Sequence, residues 1–384
     1  MLNIHLNQER AVKELFNKAE IQIGGSHSSD IQVKDKQFYT EVLRNGSLGL
    51  GESYMAGDWE CASLEDFFLK VFTANLSEKV QNNLPFLSNV LFAKLFNLQN
   101  ISRSRQVARQ HYDLSNEFYE LMLGKSMAYT CAYWKDAKSL DEAQYAKYDL
   151  ICKKLHLAKG ENVLEHGCGW GGFAKFASEN YGCNMYSVNI STEQVKYAKE
   201  LNKNLPVKIF KCDYRDHKAY NPDNIKFDKV VSIGMAEHVG PKNYNTWFQI
   251  VHNQLKKDGL FLLHSIFSDV SLNYCDPFTH KYIFPNSVVP SLKQVSAPAE
   301  KLFVVEDLHN IGVYYYQTSK EWYNNFIYNW NNIQKLDKQF NETFFRMWSF
   351  YLGACMGIAK SKDYHLYQIV FSKRGNQNLY EPVR

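Results

Sequence analysis

The sequence has none of the features that mark secreted, metal-binding or membrane-spanning proteins. Its 8 cysteines contain no CxxC pair and no histidine at zinc-finger spacing, so we expect reduced thiols and no metal site. Residues 1–10 lack the basic start and apolar segment of a signal peptide. The most apolar strand-like run, residues 259–267, is far shorter than the ~20 residues that cross a bilayer as a helix. We therefore expect a cytoplasmic protein.

Charge of one sign is also nearly absent. The 44 lysines and arginines exceed the 40 acidic residues by only 4, so net charge predicts no strong attraction to polyanions and no nucleic-acid partner. What is abundant is aromatic surface, at 15% of residues, which predicts a large apolar pocket or an unusually aromatic core. A length of 384 residues is typical of two domains or of one large α/β domain.

The spacing of apolar residues predicts three consecutive regions. Residues 1–85 have the pattern of a small α/β domain, in which the glycine-rich residues 46–59 predict tight turns. Residues 86–110 begin apolar and end basic, which is typical both of a linker helix and of a segment that lies on an anionic membrane surface. Residues 111–384 would form the catalytic domain. From about residue 160, apolar runs alternate with helical stretches, which favours a doubly wound, mostly parallel sheet.

One segment of the predicted sheet carries a nucleotide-binding pattern. Residues 162–172 form a strand that enters a glycine-rich turn and then a helix, and the glycines alone satisfy G-x-G-x-x-G. A nicotinamide site needs an acid at the end of the second strand, where this chain has Asn189. Instead, acids lie before the glycines, at Glu165, and after the third strand, at Asp213. This arrangement resembles S-adenosylmethionine-dependent methyltransferases.

Four reactive side chains fall at or near predicted strand ends or in nearby segments. Glu237 follows the fourth strand of the sheet, His264 lies on the fifth, Tyr315 follows the sixth, and Cys131 lies upstream. Each of these residue types, taken singly, is more often structural than catalytic. Because ligands of an open parallel sheet bind at the carboxyl ends of its strands, the four together favour an active site beside the nucleotide.

Longer segments resemble one family in particular, the cyclopropane-fatty-acyl-phospholipid synthases. The resemblance covers the chain from about residue 40 to its end. It rests on eight segments in the same order: GLGESYMAGDW, QHYDLSNEFY, YTCAYWKD, VLEHGCGWGGF, MAEHVGPKNY, FLLHSI, KYIFPN and EDLHNIGVYY.

The resemblance implies a methyltransferase-type sheet with helical lid insertions, the small N-terminal domain assisting lipid access. It implies transfer of a methylene from S-adenosylmethionine across a cis double bond of an unsaturated phospholipid acyl chain. A bound bicarbonate would remove the final proton, held by the side chains of Glu237, His264 and Tyr315 and by the backbone N–H groups of Cys131 and Ile266. A homodimer acting peripherally at the inner membrane surface is implied as well.

By the same resemblance, S-adenosylmethionine would lie over the glycine turn. The residues expected to contact it are Tyr129, Thr130 and Glu165 near its amino-acid end, Gly167, Gly169 and Gly171 beneath it, Asn189 and Gln194 near the ribose, and Asp213, Tyr214 and Arg215 beside the adenine.

The chain departs from the common family pattern in three places. Glu165-His166 replaces Asp-Ile, Asn189 replaces Thr, and Phe267 replaces a small residue, which predicts a narrower acyl channel. Two alternatives remain open: a lipid methyltransferase that stops at a methyl or methylene branch, and a peripheral lipid-binding protein with a vestigial cofactor fold. A nicotinamide oxidoreductase fits least.

Overall fold

The computed structural model describes residues 2–76 and 114–384. These residues divide into two compact units. The helical unit contains the described residues before position 77 together with Tyr274–Pro285 and Tyr316–Tyr364, and the sheet unit contains residues 114–273, Asn286–Tyr315 and His365–Arg384. The stretch 86–110 lies outside the described residues, so its role as a linker and the domain boundaries at 85 and 110 stay predictions.

Helices precede the main sheet and then alternate with its strands along the chain. The helices are α1 (Leu2–Asn17), α2 (Gln37–Asn45), α3 (Ser47–Ala56), α4 (Leu64–Thr73), α5 (Asn116–Leu123), α6 (Leu140–Lys154), α7 (Gly172–Tyr181), α8 (Thr192–Leu201), α9 (His217–Tyr220), α10 (Ala236–Val239), α11 (Tyr244–Gln254), α12 (Leu292–Ala299), α13 (Tyr315–Tyr328), α14 (Trp330–Ile333) and α15 (Glu342–Ser361). The strands are β1 (Gln32–Val33), β2 (Trp59–Glu60), β3 (Asn162–His166), β4 (Asn184–Asn189), β5 (Val207–Lys211), β6 (Phe227–Ile233), β7 (Leu255–Ser268), β8 (Phe303–Asn310) and β9 (Tyr364–Lys373). No helix among the described residues has both the length and the apolar character needed to cross a membrane.

The described part of the sheet unit holds a seven-stranded sheet in the order β5-β4-β3-β6-β7-β9-β8. The pairs β5–β4, β4–β3, β3–β6 and β6–β7 are parallel, and β8 runs antiparallel to β9. Central positions such as Val230, Val231, Leu262 and Leu263 are fully buried, as expected for strands covered by helices on both faces. The predicted doubly wound, mostly parallel sheet is confirmed.

This topology creates the crevice in which the site lies. The chain leaves β3 toward β4 on one side, and β6 lies against the other side of β3, so the strand order reverses at β3. The connections that follow β3 and β6 leave in opposite directions at such a point and make room for a ligand beyond the carboxyl ends of the strands. Ser191 caps α8 by accepting from the Gln194 N–H at 3.3 Å, which fixes one wall of the crevice.

The prediction of tight turns over residues 46–59 is wrong for most of that stretch. Residues 47–56 form α3, and its glycines serve packing instead of turning. A Cβ on Gly49 would collide with the Glu41 carbonyl, and one on Gly51 would collide with the Phe278 ring. The composition predicted turns because local sequence does not reveal that α2 and the distant residue Phe278 pack tightly against this helix.

Aromatic rings and glycine contacts hold the helical unit together. The Phe350 ring lies 4.8 Å from that of Phe68 in an edge-on pair, and Trp59 lies 5.1 Å from Phe67. A Cβ on Gly357 would lie 2.5 Å from the Cβ of Phe68, so α15 packs on α4 more closely than any side chain at that position allows. The aromatic excess of the sequence therefore contributes much of this unit's core.

Candidate active site

The glycine turn after β3 is shaped for a ligand. Gly167, Gly169 and Gly171 all have positive φ angles, of 83°, 52° and 83°. A Cβ on Gly167 would meet Met235 at 2.9 Å, whereas nothing lies within 4 Å of a Cβ on Gly169. Gly171 precedes α7, whose first N–H groups have no partners within the helix. The turn therefore offers backbone atoms at Gly169 beside open space, as binding of a nucleotide-like cofactor requires.

Glu165 lies on β3 just before this turn. Its carboxylate is buried and accepts a hydrogen bond from the Ser187 hydroxyl at 2.7 Å. Burial raises the pKa of Glu165 to about 7, and the Ser187 hydrogen bond opposes this only in part. A cationic group placed beside Glu165 would restore the charged form, which suits the amino-acid end of S-adenosylmethionine.

Asn189 and Gln194, the expected ribose contacts, are joined to the glycine turn. The Asn189 amide donates to the Gly169 carbonyl at 3.0 Å and to Gln194 Oε1 at 2.9 Å. Its own oxygen accepts from the Ser191 N–H at 3.1 Å. Asn189 therefore holds the turn and α8 in register, a role that the sequence did not predict.

The segment expected beside the adenine is held by one ion pair. Arg215 donates to both carboxylate oxygens of Asp213, each over 2.7 Å, in the two-point geometry that fixes a planar pair. The intervening Tyr214 is buried, with its ring 5.9 Å from His166 and 6.3 Å from Trp247. His166, the unusual residue of the turn, accepts from the Trp247 indole at 3.1 Å, and burial lowers its pKa to about 3. His166 is thus a neutral core residue behind the site.

Tyr129 and Thr130 lie on the segment before α6. The Tyr129 ring lies 5.8 Å from that of Tyr119. Thr130 comes so close to the end of β6 that a Cβ on Gly234 would lie 2.5 Å from its methyl group. The structure therefore brings this segment to the same crevice as the glycine turn.

Glu237 lies on α10, just after β6. Its Oε1 accepts from the Ile266 backbone N–H at 2.7 Å, while its Oε2 is buried without a hydrogen-bond partner. Burial raises the pKa of Glu237 above the ordinary carboxyl value. The resemblance had assigned the Ile266 N–H to the bicarbonate, whereas in this structure that N–H donates to Glu237.

His264 is fully buried on β7. Its Nδ1 lies 3.3 Å from the Gln368 amide nitrogen, and its Nε2 has no hydrogen-bond partner. Burial, with the nearby charges of Lys147 and Lys154, holds the pKa of His264 well below its usual value, so the imidazole is neutral.

The remaining two predicted cradle residues pack beside these. Cys131 is fully buried and belongs to one apolar cluster with Ile266 and Tyr315. Ile266 is two positions after His264 on β7, which places both on the same face of the strand, and its N–H reaches Glu237. All five predicted residues therefore meet around the carboxyl half of β7. The two unpartnered buried atoms, Glu237 Oε2 and His264 Nε2, are what a small ion with both donor and acceptor capacity would satisfy.

Sequence reasoning missed Lys147, which is fully buried on α6. Its Nζ donates to Thr130 Oγ1 at 2.7 Å and to Gln144 Oε1 at 2.6 Å, and the Gln144 amide donates to the Thr130 carbonyl at 2.9 Å. The available signal was the i, i+3 spacing of Gln144 and Lys147, which places both on one helix face. That spacing is common on solvated helices, so it did not single them out.

Comparison with known proteins places this geometry among related enzymes. The family model described as Mycolic acid cyclopropane synthetase matches residues 99–369. The chain is 45% identical over 372 residues to a cyclopropane-fatty-acyl-phospholipid synthase of Escherichia coli, covering 97% of this chain and 95% of that protein. It is 34% identical over 383 residues to a probable fatty acid methyltransferase of Pseudomonas putida, covering 94% and 91%. A solved mycolic acid cyclopropane synthase in complex with SAH and CTAB is 28% identical, with a TM-score of 0.63 over 70% of this chain and 98% of that one.

Proposed function

Since this chain belongs to the cyclopropane-fatty-acyl-phospholipid synthase family of S-adenosylmethionine-dependent enzymes, we propose that it adds a methylene across a cis double bond of an unsaturated phospholipid acyl chain. The observation that carries the proposal is that two atoms of the proposed cradle, Glu237 Oε2 and His264 Nε2, are buried without a hydrogen-bond partner among the described residues. Closing a ring requires loss of a proton from the carbocation that methyl transfer leaves, and this pair of atoms could hold the anion that accepts the proton.

S-adenosylmethionine, when bound, supplies an electrophilic methyl carbon. Gly169 would expose its backbone to the cofactor, and Asn189, by fixing Gly169 and Gln194, would keep that surface in place. Glu165 would meet the cationic end, because its raised pKa falls when a positive charge approaches. The other residues proposed to contact the cofactor are Tyr129, Thr130, Gly167, Gly171, Asp213, Tyr214 and Arg215.

Bicarbonate, when bound, supplies the base. An ionised Glu237 would repel this anion, but its raised pKa increases the fraction that carries a proton and can donate a hydrogen bond. The neutral His264 and the Tyr315 hydroxyl would complete the contacts, with the Cys131 N–H. Ile266 would act through Glu237, whose carboxylate it fixes.

The carbocation left by methyl transfer would be trapped by water, so its deprotonation and ring closure need a dry site. Cys131, Ile311 and Leu366 are almost fully buried around the cradle, and Ile266 and Tyr315 pack against them. These side chains would exclude water from the reacting carbon atoms and thus favour ring closure over hydration of the acyl chain.

A product that is methyl-branched instead of cyclic is the competing outcome, and one relative, from P. putida, is named a probable fatty acid methyltransferase. Purified protein would be incubated with S-adenosylmethionine and vesicles of a cis-unsaturated phospholipid, with Glu237→Gln as control. We expect acyl chains heavier by one methylene that resist hydrogenation and show upfield ring protons by NMR. A heavier chain that still takes up hydrogen would identify a branching methyltransferase and overturn the proposal. If the protein bound the vesicles but left their lipids unchanged, it would be a lipid-binding protein.

We also propose that residues 1–85 assist phospholipid access, that the protein works peripherally at the inner membrane surface, and that it is a homodimer.

Within the helical unit, α4 and α15 meet at Gly357. Gly357→Leu would separate them and should lower activity on vesicles more than on detergent-dispersed phospholipid. Gly57→Ala is the control for general destabilisation, because its Cβ meets no atom within 4 Å and its cost comes from the positive φ alone. Equal losses on both substrates would contradict a role in access, and light scattering would test the dimer.

A further inference from the structure

Two lysines of α6, Lys147 and Lys154, are buried, and among the described residues one of them has an anionic partner. Lys154 Nζ lies 2.7 Å from Asp307 Oδ2. Lys147 is fully buried, and within the described residues its Nζ donates to two neutral oxygens, those of Thr130 and Gln144. Within the part of the chain that the structure describes, no carboxylate forms an ion pair with Lys147. A buried cation without a counter-charge is costly, so its retention calls for a reason.

The groups around Lys147 identify where its charge is felt. On its own helix, the Tyr148 ring centroid lies 4.7 Å from Nζ. On the neighbouring segment and on β7, the titratable groups within electrostatic range are the Cys131 thiol and the His264 imidazole. Both residues belong to the proposed bicarbonate cradle. Burial lowers the pKa of Lys147 to about 7, so near neutrality the side chain can gain or lose its proton.

The cradle itself contains no cation. Glu237 is an acid, His264 is neutral, and Tyr315 and the backbone of Cys131 supply only dipoles. An anion that enters an apolar cluster loses its hydration, and hydrogen bonds from neutral donors compensate for that loss only in part. A positive charge within electrostatic range of Cys131 and His264 is therefore the missing element.

We propose that Lys147 is the residue that compensates the charge of the bound bicarbonate, so that the anion and the Lys147 proton bind together. The proposal rests on the proposed function, because it takes the anion of that reaction as the ligand. Lys147 acts at a distance as a positioning residue. An ammonium donates three hydrogen bonds and a neutral amine two. The two acceptors, Thr130 Oγ1 and Gln144 Oε1, can hold the ammonium or the neutral amine. Lys147 can therefore gain or lose a proton without rearrangement of its neighbours.

The test measures bicarbonate binding directly, by the rise in unfolding temperature of the full chain with sodium bicarbonate over sodium chloride. It would run from about one pH unit below to about two units above neutrality. For the unmodified protein, we expect affinity to fall as pH rises through 7, by up to about tenfold per pH unit. Lys147→Met should bind bicarbonate about tenfold more weakly at neutral pH and show a shallower slope, because the Glu237 proton still contributes to binding. The control, Lys154→Met, removes a buried lysine that already has a carboxylate partner, and should retain the slope.

Several results would overturn the proposal. A pH-independent affinity of the unmodified protein would do so without any variant, as would a slope in Lys147→Met as steep as that of the unmodified protein. Loss of affinity in Lys147→Met with no slope in the unmodified protein would leave Lys147 with only the structural task of holding Thr130. Lipid analysis decides the proposed function separately. Proton-linked bicarbonate binding in a protein that makes branched lipids would sustain Lys147 and reject ring formation.

Discussion

The Ile266 backbone N–H donates to Glu237 Oε1 across 2.7 Å, which joins α10 to the carboxyl half of β7. This bond fixes one oxygen of the carboxylate and leaves Oε2 as the buried atom without a partner. The two strands that bring the residues together, β6 and β7, are adjacent and parallel. A residue far along the chain thus determines which oxygen of Glu237 is available to a ligand.

Glu237→Gln tests that arrangement. The amide oxygen can still accept from Ile266, so we expect the fold and S-adenosylmethionine affinity to be retained. An amide still donates a hydrogen bond but cannot exchange a proton with the bound bicarbonate as a carboxyl group can, so turnover should fall about 100-fold or more. Turnover on vesicles and cofactor affinity by calorimetry are the measurements. The control is Glu200→Gln, whose side chain is 74% exposed beside Lys203. Undiminished turnover of Glu237→Gln would remove Glu237 from the cradle.

Tyr315→Phe isolates a single hydroxyl. The ring would keep its place in the cluster with Cys131 and Ile266, while a hydrogen bond to a charged acceptor, about 1.5–3 kcal/mol, would be lost. We expect bicarbonate to bind about 10- to 100-fold more weakly and added bicarbonate to restore part of the turnover. Tyr314→Phe, from the same cluster, is the matched control and should behave like the unmodified protein. If both variants responded alike, the specific role of Tyr315 would be rejected.

Gly169→Ala tests the placement of the cofactor. Nothing lies within 4 Å of the new Cβ, so the methyl group would enter only the space proposed for S-adenosylmethionine. We expect affinity, measured by calorimetry, to fall by about tenfold or more. Gly160→Ala is matched to it, because Gly160 also has a positive φ and no atom within 4 Å. Both variants should lose about 1–2 kcal/mol of stability, but Gly160→Ala should bind the cofactor normally.

The sheet and the glycine turn were predictable because their signals are local. Apolar runs separated by helical stretches, and glycines between a strand and a helix, follow from residues close together in sequence. The helix at residues 47–56 was not predictable. Its Gly51 is needed because the ring of Phe278, which lies far along the chain, leaves no room for a side chain there. The burial of Lys147 was not predictable for a similar reason. A lysine on a helix is usually solvated, and only the assembled sheet unit shows that this one is buried.

Glu165 should make stability depend on pH. Burial raises its pKa in the folded state from 4.5 to about 7, so the folded chain binds this proton more tightly than the unfolded chain. Stability from this group is therefore present below pH 4.5 and is lost as pH rises through 7. At 1.36 kcal/mol per pKa unit, the loss amounts to about 3 kcal/mol. Chemical denaturation should show that Glu165→Gln removes this pH dependence. A variant whose stability changes with pH as that of the unmodified protein does would contradict the assignment.

The same group should govern S-adenosylmethionine affinity in the opposite direction. A cationic ligand needs the ionised carboxylate, so binding below pH 7 must first release the Glu165 proton. We expect affinity by calorimetry to rise with pH, by up to about tenfold per pH unit, and to level off above 7. Glu165→Gln should bind more weakly and without this slope, whereas the exposed Glu200→Gln should keep it. Ionisation of Glu165 at higher pH strengthens its attraction for a cation. An affinity that falls with rising pH would therefore place the cationic end of the cofactor away from Glu165.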